Sequence, residues 1–202
     1  VLARRCDGGF RIESIETKCE EPLKIGRLRE RIPDEIECYV EAPVQQVCTG
    51  AVDAMAAVNA RAKLRMGGVV ADAFPSATAV ATRLKLLADR RVPFKATAGL
   101  HHPIRTEHRL TYDAEAPTGT MHGFVNLLCA AAVARQGGEQ DEVAGMLEEG
   151  DGRAFAVTHH SIEVHGHTWD AAALRAVREF FVSFGSCSFT EPTSELEAKG
   201  WL

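Results

Sequence analysis

Two short segments place a lysine inside a strand-like run that ends in glycine: Ala62-Lys63-Leu64-Arg65-Met66-Gly67-Gly68 and Pro93-Phe94-Lys95-Ala96-Thr97-Ala98-Gly99. The second runs on into Leu100-His101-His102-Pro103. Side chains two apart in a strand share a face, so Lys63 points with Arg65 and Lys95 with Thr97. Two chemistries follow. A lysine desolvated beside another cation has a lowered pKa, and its neutral amine can attack a carbonyl to form a Schiff base. Lysines and an arginine that stay charged clamp a phosphate or carboxylate instead. Glu41, closing an earlier strand-like run, is the natural counter-ion for a buried lysine.

Other candidates flank these segments. His101 and His102 could carry protons near neutral pH or ligate a metal; neighbouring histidines diverge, so one of them is expected to face a given pocket. His122 opens an apolar helical stretch with Asn126 one turn later, where a helix amino terminus favours anions. Ser186 and Ser188 share one face of the closing segment Ser183–Pro192 and suit an anionic group, with Glu191 available to balance a lysine. Cys187 points the other way, has no histidine beside it in sequence, and reads as a small buried thiol. Arg105, His108 and Arg109 lie in a polar stretch over 100–119, read as a lid or a partner-contact loop.

A metal needs about three ligands. His101, His102, His122 and Glu41 could converge, but no H-x-x-x-H or H-E-x-x-H spacing supports them, so no metal ligands and no cofactor are expected. His159-His160 and His165-Gly166-His167 lie apart in sequence and read as an exposed strand or hairpin.

These residues need a scaffold that brings strand ends together. Alternation and turn signals predict strands over 10–19, 36–41, 62–66, 92–98 and 182–189, with one or two more in 154–169. Helical spacing predicts helices over 23–31, from Pro43 to about Asn59, and over 77–90, 121–136, 141–149, 170–181 and 193–199, with Ser76 and Asp170 as amino-terminal caps. Strands alternating with helices imply an α/β fold of parallel βα units. No G-x-G-x-x-G or G-x-x-x-x-G-K-[ST] follows a strand, which favours a TIM-barrel-like or partial-barrel arrangement over a nucleotide-binding sheet. A full barrel needs about 250 residues. The chain, 202 residues long, is therefore read as one βα domain over 1–202 that is a partial barrel or the carboxyl-terminal part of something longer.

The net charge of -5 gives no basic face for nucleic acid, and no apolar run is long enough for a membrane span. The six cysteines lack C-x-x-C spacing and are expected to be reduced, mostly buried thiols of a cytoplasmic protein. The expected partner is a small anionic molecule; self-association as a homo-oligomer is left open.

Lys95-Ala96-Thr97-Ala98-Gly99 resembles the K-x-[ST]-x-G strand that carries the Schiff-base lysine in deoxyribose-phosphate-type class I aldolases. Lys63-Leu64-Arg65-Met66-Gly67-Gly68 resembles that family's second-lysine strand, in the reverse order along the chain. A wider set resembles a group of bacterial hypothetical proteins of uncharacterised function: Ala62–Gly68, Phe94–Pro103, Met121–Asn126 and Ser183–Pro192. The aldolase resemblance implies a lyase acting on a small anionic carbonyl compound. Lys95 would be the nucleophile, Lys63 its pKa-lowering neighbour, and His101 or His102 the proton carrier. Glu41, Arg65, Thr97, His122, Asn126, Ser186, Ser188 and Glu191 would line the substrate pocket. The alternatives are a metal-assisted hydrolase or lyase using His101, His102, His122 and Glu41, or a non-catalytic anion-binding or assembly domain.

Overall fold

A computed structural model describes residues 11–19, 21–44 and 49–202. Cys6, Cys48, the first residue of the expected 10–19 strand and the start of the helix expected after Pro43 lie outside the described residues.

Five parallel strands form the central sheet: β1 (Ser14–Lys18), β2 (Glu37–Pro43), β3 (Arg61–Arg65), β4 (Phe94–Thr97) and, last along the chain, β10 (Phe181–Gly185). Their order is β1-β2-β3-β4-β10. The helices between them are α1 (Pro22–Arg29), α2 (Thr49–Ala57) and α3 (Ala77–Asp89); α4 (Phe124–Arg135), α5 (Gln140–Glu148) and α6 (Ala171–Arg178) lie between β4 and β10, and α7 (Thr190–Ala198) closes the chain. Because the first four strands are laid down in sequence, right-handed crossovers carry their helices to one face. There α1 meets α2, α2 meets α3, and α3 packs against α4 and α5. The fold is thus mixed α/β with a parallel sheet. Among the described residues the sheet has two edges, β1 and β10, and does not close into a barrel.

The strand periodicity divides that sheet. Cys38, Val40, Ala62, Leu64, Phe94 and Ala96 turn toward the helices and are at most 2 % exposed. Burying a side chain such as Leu64 or Phe94 contributes roughly 2 kcal/mol. The opposite set, Glu16, Tyr39, Glu41, Arg61, Lys63 and Lys95, is polar and faces away from the helices.

Two parts differ from the sequence reading. The stretch 100–119 is not a structureless loop: β5 (Thr106–Arg109) and β6 (Thr118–Met121) pair as an antiparallel hairpin. The stretch read as one or two strands over 154–169 holds three short ones, the last running on to 170: β7 (Ala156–Val157), β8 (Ser161–Val164) and β9 (His167–Asp170), in an antiparallel sheet. The caps agree: Ser76 Oγ accepts from the Ala79 N–H at 3.2 Å, and Asp170 Oδ1 accepts from the Ala173 N–H at 2.8 Å. No described helix is long and apolar enough to cross a membrane.

Candidate functional site

The two lysines meet as cross-strand neighbours, since Glu41 pairs in register with Lys63 and Lys63 with Lys95. Lys63 Nζ lies 2.6 Å from Glu41 Oε2 and 2.6 Å from Glu16 Oε2. Lys95 is paired with Glu16 and sits 4.0 Å from the centre of the Tyr39 ring. Burial by itself would lower the Lys63 ammonium, but hydrogen bonds to Glu16 and Glu41 outweigh it and hold its pKa above the ordinary lysine value. The same bonds from Lys63, then Lys95, hold the Glu16 carboxyl below its ordinary value. Arg65 is half-exposed and 3.9 Å from Glu41. Thr97 pairs with Arg65 in register.

The glycines that end these two strands have a packing reason. A Cβ on Gly67 or Gly99 would overlap the Phe74 ring, and Gly99 also has φ +68°. Ala98 takes φ 66° as well, a left-handed backbone that costs an alanine of the order of 1 kcal/mol. This double bend turns the chain off β4 and aims His101 and His102 over the carboxyl edge of the sheet.

There the closing segment meets them. Side chains one turn apart on a helix are about 5–6 Å apart, and the two histidine rings are 6.3 Å apart. Glu191 and Glu195 on α7 therefore take one histidine each: Glu191 Oε2 lies 3.1 Å from His101 Nδ1, and Glu195 Oε1 lies 2.5 Å from His102 Nδ1. Glu191 is thus partnered with a histidine, not a lysine. Both histidines line one cavity of about 410 Å³, with His108, Arg109, Tyr112, Met121, Cys187 and Glu191 among the rest of its wall. The expectation that only one would face a pocket is corrected, because the carboxylates of α7 hold both rings toward it.

Cys187 is exposed, not buried as expected. Its Sγ lies 3.6 Å from His101 Nε2 and 3.8 Å from Nδ1. Ser186 Oγ is 3.3 Å from the same Nδ1 and accepts the Ser188 N–H at 3.2 Å. Ser188 Oγ in turn accepts the Glu191 N–H at 3.1 Å, fixing the first turn of α7. The Tyr112 hydroxyl donates to Glu191 at 3.3 Å. Its pKa is raised, by desolvation first and then by the nearby Glu191 and Cys187. A thiol, an imidazole and a carboxylate are the residue types that can serve together as nucleophile, base and orienting group.

His122 and Asn126 are not with them. His122 precedes the helix cap Gly123 and is 5 % exposed. Its Nε2 donates to the Pro75 carbonyl at 2.7 Å, Nδ1 has no partner among the described residues, and burial lowers its pKa. Asn126 is fully buried; it accepts the Arg105 N–H at 2.9 Å and donates to the Met146 and Glu149 carbonyls at 2.7 and 2.8 Å. It braces the backbone under the histidines. Gly123 fits the same junction, because a Cβ there would overlap Asn126, Pro103 and Ile104. Glu41 is engaged by Lys63, so the set His101, His102, His122 and Glu41 does not converge. Among the described residues, His102, His108 and Glu195 do. His165 and His167 lie on the β8–β9 hairpin and pair with Glu149 and Glu142 at 3.0 and 2.9 Å.

Sequence reasoning missed Cys187, His108 and Glu195 as members of the site. A usable signal existed: Glu191 and Glu195 are spaced one helical turn apart, just after the cysteine, in a chain that carries adjacent histidines. No protein-family model, no curated protein and no solved structure matches this chain.

Proposed function

We propose that the protein is an enzyme that works on a small anionic acyl or carbonyl compound in the cavity beyond the carboxyl ends of β4 and β10. The observation that carries this is the Cys187–His101–Glu191 cluster: Sγ lies 3.6 Å from Nε2 and 3.8 Å from Nδ1, beside the ring, so a small turn of the ring aims Nε2 at the thiol, and Nδ1 is 3.1 Å from the carboxylate. Ligands of open α/β sheets bind outside the carboxyl ends of the strands. His101 takes the thiol proton while sulfur bonds to the carbonyl carbon. The leaving alkoxide departs with that proton, and water then cleaves the thioester, again losing a proton to His101. Glu191 orients the ring and balances its charge, and Arg109 in the cavity wall holds the anionic group.

A second reading keeps the lysine face as the site, with Lys95 as a Schiff-base nucleophile beside Lys63. Their adjacency in register favours it; the carboxylates that hold Lys63 as an ammonium weigh against it. On either reading the sheet is a barrel-like wall. Its order is sequential, its helices lie on one side, and its charged face takes the place of a barrel interior.

One experiment separates the two. The protein is incubated with activated esters of small carboxylic acids, and in parallel with aldehydes and keto acids plus borohydride, and adducts are mapped by mass spectrometry. The expected result is a hydroxylamine-labile acyl group on Cys187, absent in Cys187→Ser and formed at least about 100-fold more slowly in His101→Ala. Borohydride-fixed adducts on Lys95 or Lys63 with Cys187 unlabelled would overturn the cysteine reading in favour of the lysine one.

A further inference from the structure

We propose that His102, His108 and Glu195 form a binding site for one divalent transition-metal ion of the zinc type, beside the cysteine line and separate from it. The three come from three elements: the bend after β4, the β5–β6 hairpin and α7. Each offers one ligand atom, and these atoms lie within 4.8 Å of one another. In a tetrahedral site with bonds of about 2.05 Å, neighbouring ligand atoms are about 3.3 Å apart. The His102 Nδ1 to Glu195 Oε1 distance of 2.5 Å must open by less than 1 Å, and the more distant pair must close by at most about 1.5 Å.

The rest of the geometry suits such a site. The His102 and His108 rings stack with centres 3.7 Å apart and planes 12° from parallel; ligation of one ion needs the His108 ring to turn out of this stack, because an imidazole binds a metal through an in-plane lone pair. His102 is 6 % exposed and held from behind by the fold, while His108 sits on an exposed hairpin strand that can adjust. Two imidazoles and one carboxylate suit a borderline cation such as Zn²⁺. Three protein ligands leave a coordination position open, as in catalytic rather than structural sites. His102 and His108 both line the 410 Å³ cavity that holds Cys187, and His108 and Glu195 line a second one of about 380 Å³, so an ion held by all three would border the first. An ion there would polarise a carbonyl oxygen bound in the same cavity.

The test is calorimetric titration with Zn²⁺ of protein made without a histidine tag and stripped with chelator, backed by Co²⁺ absorption spectra. We expect one site per chain. Its affinity should fall more than about 100-fold in His108→Ala and in Glu195→Gln, since even outer partners of a ligand are worth 10–100-fold. It should be unchanged in Cys187→Ser. Glu195→Gln is near-isosteric and His108 is exposed, and thermal melting of each variant confirms that it is folded. Absence of a site in the parent protein overturns the proposal. So does loss of the ion in Cys187→Ser with retention in His108→Ala and Glu195→Gln, which would move the ion onto the Cys187–His101–Glu191 set. Retention in every variant means an adventitious ion only, and overturns it equally. Because Cys187→Ser removes the nucleophile but none of these ligands, failure of the metal site and failure of the acyl chemistry are read separately.

Discussion

The charged face of the sheet and the cavity at its carboxyl edge are built from similar residues and arranged in opposite ways. On the sheet face each cation has a carboxylate within reach: Glu16 serves Lys63 and Lys95, and Glu41 serves Lys63. Charges paired in this way stay charged and are slow to react. At the cavity the partners are histidines, a thiol and a tyrosine, groups that can both donate and accept hydrogen bonds. Their carboxylates approach from α7 on one side only, leaving the other side to the cavity. The lysines catch attention in the sequence because lysine is rare inside a strand. Their surroundings pair them with Glu16 and Glu41 on the sheet face, whereas the histidines at the strand ends border a cavity.

That contrast is open to a direct break. Glu41→Ala strips one of two carboxylates from Lys63, whose side chain is only 15 % exposed. Removing one partner of a buried ion pair costs about 3 kcal/mol, and urea unfolding should show a loss of that size. His101→Ala, at the rim of the cavity, should cost under about 1 kcal/mol while slowing adduct formation at least about 100-fold. A loss below about 0.5 kcal/mol in Glu41→Ala would mean that the sheet face is a solvated surface. The lysines would then be free to act.

A second contrast lies in pH. Lys63 is held above the ordinary lysine value, so its contribution is complete below that value and is lost as pH rises through the higher folded one. Glu16 is held below the ordinary glutamate value, so its contribution is complete above that value and is lost as pH falls through the folded one. The charged face therefore loses stability only toward the two ends of the pH range. His122 acts in between. Burial keeps it neutral, with Arg105 and Glu148 as the nearest charges. Stability should begin to fall below about pH 6.5, the ordinary histidine value, by up to about 1.4 kcal/mol for each unit of depression. Urea midpoints measured from pH 7 to pH 5 should slope downward in the parent protein. They should slope less in His122→Gln, which keeps a donor for the Pro75 carbonyl. Equal slopes would place the pH sensitivity in the cavity histidines instead.

Much of the scaffold could be read from the chain because it is written in local patterns. Alternating residues such as Ala62-Lys63-Leu64-Arg65 mark a strand with one apolar face, and Ser76 and Asp170 mark helix starts by the hydrogen bonds their side chains make. The hairpin over 106–121 escaped because Thr106-Glu107-His108-Arg109 and Thr118-Gly119-Thr120-Met121 carry almost no apolar alternation; pairing with each other, not burial, makes them strands. The site was only half legible for a related reason. Lys63, Lys95, His101 and His102 announce themselves by residue type beside strand ends. Cys187 reaches His101 across 86 positions of sequence, and only the adjacency of β4 and β10 closes that distance. Buried thiols behave as expected where the fold covers them: desolvation pushes Cys129 up to about 12. Cys187 differs because it falls just past the end of its strand.

The smallest effect tests how the histidines are aimed. Ala98 and Gly99 are consecutive left-handed residues, φ 66° and 68°, immediately before Leu100-His101-His102. Ala98→Gly removes a backbone strain of about 1 kcal/mol but adds a comparable entropy cost of about 0.5–1 kcal/mol from the freer unfolded chain. Stability should therefore change by no more than about 0.5 kcal/mol, in the favourable direction. The aim should suffer even so. Two glycines in succession loosen the bend that fixes His101 over Cys187, and a small misplacement of a base is felt strongly in rate. Acyl transfer to Cys187 should slow by about threefold or more in a protein that is no less stable. If the rate holds while stability rises, the α7 carboxylates alone position the histidines and the strained alanine has no part in the site. If both fall together, Ala98 belongs to the packing around Phe74, with the sheet rather than with the cavity.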